Sequence, residues 1–408
     1  MHKYFHHSKV SPMVVFVLLL TVGLAMGQVR SVQGISCEIR PVRTKYAAVD
    51  RLAIAYSMIN NTDDTLYLCK WKTPLEGFDS NMFTVTKDEE EVTYIGRLIK
   101  RGSPSPDDYV LIAPKGRVSG TIDLSEGYAV YKEGDYTVTF NSVIYDVGKE
   151  TPLRLAAKKA YAPQEITSAV VNFKLTEVRE YKAPEIPMRK ADSAATKVTY
   201  SGGCTTSEKN DLKDAVIEAK RLLTIAILQM EITPQASQDT CRRYTTWFGT
   251  WTAARWNTVK NNFQKILDAL TYQDLEFDCS CTGNYYAYVY PASPYKIYLC
   301  NAFWNAPMTG TDSKAGTIIH EMSHFYVVAS TDDHAYGHTN CKNLASSDPT
   351  KAIDNADSHE YFCENTPEIG CYRIRGGPQS VILWLLVIPL ILVLEFLRRR
   401  YLARSRQI

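Results

Sequence analysis

Residues 316–337 read GTIIHEMSHFYVVASTDDHAYG and gather the groups best able to do chemistry. His320, Glu321 and His324 form an HExxH. Residues four apart on a helix share a face, so both imidazoles can reach one Zn2+ while Glu321 stands beside a water as a base. The chain has 8 histidines. His2, His6 and His7 lie at the N-terminus, and His320, His324, His334, His338 and His359 lie together far along the chain. A chance HExxH at this composition is on the order of a one-in-a-hundred event. The clustering argues further against a helix that merely carries two solvated imidazoles. A catalytic zinc takes three protein ligands and keeps one position open. The HExxHxxGxxH pattern needs Gly at 327 and His at 330, where Val327 and Ser330 stand. A glutamate on a later helix is a candidate, namely Glu360 with Glu364 one turn on.

The run Ser330-Thr331-Asp332-Asp333-His334-Ala335-Tyr336-Gly337 resembles the GTxDxxYG motif of the deuterolysin (aspzincin) zinc endopeptidases. The resemblance implies Asp333 as third ligand of one Zn2+ per catalytic domain, and Tyr336 as a phenol that steadies the oxyanion. Glu360, Asp357, His334 and His338 remain the alternatives for the metal. Ser330 stands where the family has Gly, the one residue that takes positive φ freely. The implied reaction is peptide hydrolysis, in which zinc acidifies a water and polarises the scissile carbonyl. Glu321 acts as general base and then as general acid. Asn355-Ala356-Asp357-Ser358-His359-Glu360-Tyr361-Phe362 is similar to the segment that sets specificity in fungal peptidyl-Lys metalloendopeptidases. Carried over, Asp357 and Glu360 bind a lysine at P1′. Three apart on a helix, the two carboxylates share a face, and a narrow pocket suits a compact ammonium better than a planar guanidinium. The bland alternative is a solvated acid pair. His334 and His359 are candidates for tuning the pH response. A catalytically inactive zinc-binding cell-surface interaction protein is the rival from another class. The intact Glu321 argues against it, because that residue binds no metal and its loss would leave the fold unharmed. An esterase or other zinc hydrolase shares the motif.

These groups need helices to hold them. Asp312 or Ser313 can cap the metal helix. Thr205-x-x-Glu208 is a capping box that opens an earlier helix, with Leu212, Val216, Ala219, Leu223 and Ile227 at helical spacing. A second helix from about Thr252 to Leu270 turns Val259, Phe263, Ile266, Leu267 and Leu270 inward. Tyr285–Tyr290 and Lys296–Leu299 read as a hairpin whose edge can align an extended peptide by strand addition. Trp247, Trp251 and Trp256 read as packing. The resemblance covers about residues 199–368 and implies the bridges Cys204–Cys279 and Cys281–Cys300. Cys241, Cys341, Cys363 and Cys371 are extra, and four cysteines allow three pairings.

From Ser36 to Val178 the pattern is all-β. Leu52–Met58, Met82–Thr86, Tyr109–Ile112, Val118–Ile122, Tyr136–Phe140 and Val170–Leu175 are short β-rich runs separated by turn signals, the mark of an antiparallel sandwich. Cys37 and Cys69 are its only cysteines and are expected to pair. This half holds no histidine. It resembles the family's proregion at Thr73-Pro74-Leu75-Glu76-Gly77, Tyr94-Ile95-Gly96 and Arg101-Gly102-Ser103-Pro104, which implies a folding assistant and inhibitor. A permanent accessory domain is the alternative. Glu177–Ser201 is polar, with Pro184, Pro187, Arg189-Lys190 and Lys197, and reads as a cleavable linker.

The formal net charge is +2. Lys3 and Lys9 at the start and five arginines near the end carry it, so the segment between is acidic and no nucleic-acid footprint shows. A basic start, an apolar run from Met13 and small residues Ala25 and Gly27 make 1–27 a signal peptide. The 10 cysteines then belong to an oxidising compartment. Val381 to Leu394 is apolar and runs into Arg398-Arg399-Arg400, the pattern of a membrane span with a cytoplasmic stop. The expected architecture is therefore multidomain. A signal peptide (1–27), an all-β sandwich proregion (28–178) and a cleavable linker (179–198) precede a mainly α (α+β) zincin-like catalytic domain (199–376). A transmembrane helix (380–397) and a basic cytoplasmic tail (398–408) follow. The expected product is a type I membrane protein of the secretory pathway that acts on protein or peptide substrates.

Overall fold

A computed structural model describes residues 30–158, 160–161, 163–182 and 197–371. The expected signal peptide, membrane helix and basic tail, and most of the expected linker, lie outside the described residues. Among the described residues, no helix is long and apolar enough to cross a membrane.

Alternation of apolar and polar residues builds the N-terminal half as packed sheets. In the long strand Gly134–Ile144, Tyr136, Val138 and Phe140 point inward. It is flanked by Phe83–Lys87 and Val171–Leu175, both antiparallel. Ile35–Pro41, Ala53–Asn60 and Arg117–Asp123 form a second sheet, and Val147–Gly148, Leu66–Cys69 and Tyr109–Ile112 a third. All three feed one buried cluster, with Ile54 and Met58, Val138 and Phe140, and Leu68 and Ile112 as representatives. Lys45–Tyr46 departs from the antiparallel expectation by pairing parallel to Val171–Leu175.

Cys37 and Cys69 correct the sequence reading, since both are buried free thiols. Cys37 packs among the residues of the main β cluster, whereas Cys69 belongs to a separate one with Trp71, Tyr109 and Tyr145. Burial pushes the Cys37 thiol up to about 12, so it stays protonated and unreactive.

The C-terminal half is mixed. Thr205 opens the helix Thr206–Ile232 with both bonds of the capping box in place, and Thr252 caps Ala253–Tyr272 by accepting from the Arg255 N–H at 3.2 Å. Leu212, Leu223 and Met230 of the first helix bury against Val259, Phe263 and Ile266 of the second and Ile319 and Met322 of the metal helix. Each such side chain contributes roughly 1.5–3 kcal/mol when fully buried. Cys204 bridges Cys279, Cys281 bridges Cys300, and Cys241 bridges Cys371, while Cys341 and Cys363 remain buried thiols.

The expected hairpin forms from Ala287–Val289 and Lys296–Leu299. Leu275–Asp278 and Val198–Ser201 continue the sheet on one side in parallel. On the other side the hairpin edge is taken by Leu98–Lys100 of the N-terminal half, antiparallel to Ala287–Val289. One sheet thus joins the two halves.

Candidate active site

The metal helix Lys314–His324 starts where the Ser313 hydroxyl accepts from the Gly316 N–H at 2.9 Å. Glu364 holds that cap, its Oε1 accepting from the Ser313 N–H at 2.8 Å and hydroxyl at 2.7 Å. Gly316 is where the closing helix, Ala356–Glu364, comes near. A Cβ there would lie 2.1 Å from Glu364 Oε1 and 2.8 Å from Glu360 Oε1. His320, Glu321 and His324 are all fully buried.

Past the helix the chain reverses. Ser330 takes φ 56°, the left-handed conformation for which Gly is the easier residue. The Thr331 N–H then donates back to Ser323 O at 3.2 Å. His324 Nδ1 lies 2.8 Å from Thr331 O; a carbonyl only accepts, so Nδ1 carries the proton and Nε2 is left free. His320 Nε2 and His324 Nε2 are 3.1 Å apart, and Asp333 Oδ1 lies 3.2 Å from the first and 3.5 Å from the second. Ligand atoms about 2.0–2.1 Å from a tetrahedral zinc sit roughly 3.3–3.4 Å from one another. Both oxygens of Asp333 and both of Glu321 are buried without a hydrogen-bond partner. Such carboxylates are costly unless a cation or water compensates them. The donor set therefore fits zinc. Against its burial, His324 and His320 hold the Asp333 carboxyl well below the usual carboxylate range. Burial pushes Glu321 up to about 8, with His320 pulling the other way.

The alternatives for the third ligand lie elsewhere. Glu360 Oε2 is 3.5 Å from His320 Nδ1, the ring nitrogen away from His324, and Asp357 Oδ1 is 2.8 Å from that same nitrogen, off the line of its N–H. His334 Nε2 lies 2.8 Å from Asp354 Oδ2. His338 packs against the rings of Trp247 and Tyr361.

Asp357 and Glu360 are fully buried, which overturns the solvated-pair alternative. A lysine from the other half fills the space between them. Lys100 Nζ lies 2.6 Å from Glu360 Oε2, 3.4 Å from Asp357 Oδ1 and 3.5 Å from Asp312 Oδ1. Tyr286 and Tyr361 present their ring faces to it at 5.1 and 5.7 Å. Burial opposes the charge on Lys100, but Asp357, Glu360 and Asp312 outweigh it and raise its pKa well above the usual value. One residue earlier, Ile99 O accepts from the Tyr336 phenol at 3.0 Å. Burial, with Asp333 beside it, keeps that phenol protonated.

The family model described as lysine-specific metallo-endopeptidase, that of the aspzincins, matches residues 233–364, a span holding HExxH, Asp333, Tyr336 and both pocket acids. An extracellular protease from Aeromonas hydrophila is 38% identical over 321 residues, covering 78% of this chain and 90% of that protein. This chain is an aspzincin. A peptidyl-Lys metalloendopeptidase from Grifola frondosa is 33% identical over 332 residues, 78% of this chain and 89% of that protein. A zinc peptidase of known structure from the same organism is 41% identical, covering 41% of this chain and 100% of that one, with a TM-score of 0.38. The molecule is a zinc-dependent peptidase.

Sequence reasoning missed two lysines of this aspzincin. Lys100 sits one residue before the Arg101–Pro104 stretch that resembles the family's proregion, inside a strand of three residues. Lys72, beside the Thr73–Gly77 stretch, donates from Nζ to the backbone carbonyl of Asp333. Two polar residues near short motifs gave no periodic signal. The expectation for His359 is also corrected. Its ring lies between Phe248 and Phe263, with Nε2 3.1 Å from Asn262 Nδ2, on the face of the closing helix away from the acids. Burial pushes it down to about 4, so it stays neutral and leaves the pocket charge alone.

Proposed function

We propose that the enzyme is a metalloendopeptidase that cleaves on the N-terminal side of lysine and is made as a zymogen. The observation that carries this reading is the Lys100 ammonium between Glu360 and Asp357 while the carbonyl just before it rests on the Tyr336 phenol. A substrate lysine would take the same place as P1′. Lysine's point charge fits that pocket, and a neutral side chain would leave buried carboxylates without a partner. His320, His324 and Asp333 would hold the zinc, which supplies Lewis acidity and an acidic water when bound. Glu321 takes a proton from the attacking water and returns it to the leaving amine. The Tyr336 phenol donates to the oxygen on which negative charge develops.

In this reading 28–178 is the inhibitory proregion, 179–198 the linker cut on activation, and 199–376 the catalytic domain. Residues 1–27 direct the chain into the secretory pathway, and 380–397 anchor it with the catalytic domain outside. The extracellular relative supports the secretory route. Digestion of a proteome-derived peptide library, read by mass spectrometry, tests the specificity. Cuts before lysine are expected, and cuts scattered over apolar P1′ residues would refute it.

A further inference from the structure

The contacts of Lys100 extend to a whole peptide unit. Leu98, Ile99 and Lys100 lie opposite Val289, Tyr288 and Ala287 in antiparallel register. The Tyr286 N–H donates to Lys100 O at 3.0 Å, on the leaving-group side of the Ile99–Lys100 bond. On the acyl side, Ile99 O is held by Tyr336. The lysine side chain reaches the acids, and Glu321 lies buried with no hydrogen-bond partner for its carboxylate. A loop that merely blocked the cleft would have no need to place a carbonyl on the phenol and the next side chain in the specificity pocket.

We infer that the Ile99–Lys100 bond is a self-cleavage site, presented as a substrate by the N-terminal half to the catalytic groups of the same chain. This rests on the lysine-at-P1′ reading above. Hydrolysis adds one water across the bond. Its hydroxyl goes to the Ile99 carbonyl carbon, the C–N bond breaks, and the proton taken by Glu321 passes to the Lys100 amine. The products are an Ile99 carboxylate and a new N-terminal Lys100.

The surroundings keep the cut ends in place. Before the bond, the Arg97 N–H donates to Phe78 O at 3.0 Å, the Tyr94 phenol donates to Arg97 O at 2.8 Å, and Arg97 Nε donates to Asp79 Oδ1 at 2.8 Å. After it, the buried Arg101 pairs with Glu76 Oε2 at 2.9 Å and lies over the Trp71 ring at 4.8 Å. All five partners, Phe78, Tyr94, Asp79, Glu76 and Trp71, belong to the N-terminal half. Neither end is freed when the bond breaks, so the nicked molecule remains inhibited until that half leaves.

The test uses the full chain loaded with zinc and incubated over time, with new N-termini read by amine labelling and mass spectrometry. A casein-peptide digest is run alongside. The expected result is an N-terminus at Lys100 that accumulates in wild type and is absent in Glu321→Gln, which leaves the fold intact, and in Lys100→Gln. Under non-denaturing conditions the two fragments should co-elute, with casein-peptide hydrolysis less than twofold above that of the uncut chain. Lysine-directed cuts in casein or elsewhere in the chain without a Lys100 terminus overturn the inference and leave the specificity reading standing. Cuts at other residue types overturn both. A chain that neither nicks itself nor cuts casein peptides overturns the self-cleavage site. So does nicking at Lys100 that releases full activity at once, which would contradict retention of the ends.

Discussion

Glu321 and Asp333 are both buried carboxylates without partners, yet they are proposed to do different work, and substitution separates them. Glu321→Gln removes a proton carrier and no metal donor, so zinc content by elemental analysis should stay near wild type while turnover falls at least several-hundredfold. Asp333→Ala removes a proposed ligand and should empty the site, whereas Glu360→Ala should keep its zinc because Glu360 faces Lys100 and the other nitrogen of His320. Zinc retained in Asp333→Ala and lost in Glu360→Ala would reverse the assignment. His359 carries a pH prediction. Burial lowers its pKa from 6.5 to about 4, so below pH 6.5 the unfolded chain binds a proton that the folded chain refuses. The stability it contributes is present above 6.5 and is lost as pH falls towards 4, a span worth about 3 kcal/mol. The melting temperature should fall over that range in wild type and fall less in His359→Gln.

Among the elements, the metal helix and the closing helix come close at Gly316. Gly316→Ala would drive a methyl against the Glu364 and Glu360 carboxylates. Overpacking of this kind costs about 1–3 kcal/mol. The expected outcome is a lower melting temperature together with a raised KM for lysine substrates, since both acids must shift. An unchanged KM would mean that the pocket does not depend on this contact. Much at this scale was legible in the sequence, because the signals are local. Thr205, Thr252 and Ser313 cap helices where side-chain chemistry calls for caps, and the HExxH spacing puts two imidazoles on one face. Ser330 keeps the left-handed backbone that its family position implies. Other features depend on contacts distant in sequence. Nothing local in Leu98-Ile99-Lys100 says that three residues will complete the sheet of the other half. Nothing local in Cys37 or Cys69 says that each will sit in a different cluster.

For the whole molecule, the N-terminal half acts as a ligand of the C-terminal half. Lys100 enters the acid pocket, Lys72 reaches the Asp333 carbonyl, and Trp71 and Tyr145 pack against Tyr336. Tyr161 N–H donates to Asn340 Oδ1 at 2.9 Å, and the Tyr326 phenol donates to Tyr94 O at 2.8 Å. These contacts lie beside the proposed zinc ligands, the Tyr336 phenol and the acid pair, so the proregion and specificity readings stand on the same interface. The central claim is that buried carboxylates select lysine by its charge. It is tested most directly by kcat/KM for two peptides that differ only in lysine or norleucine at P1′, measured on activated wild type and Glu360→Gln. Leaving a buried carboxylate unpaired costs about 3–5 kcal/mol, so wild type should favour lysine on the order of a thousandfold. In Glu360→Gln most of that ratio should be lost, because lysine hydrolysis slows and norleucine hydrolysis rises once it no longer leaves that carboxylate unpaired. Equal rates for the two peptides in wild type, or an undiminished lysine preference in Glu360→Gln, would contradict it.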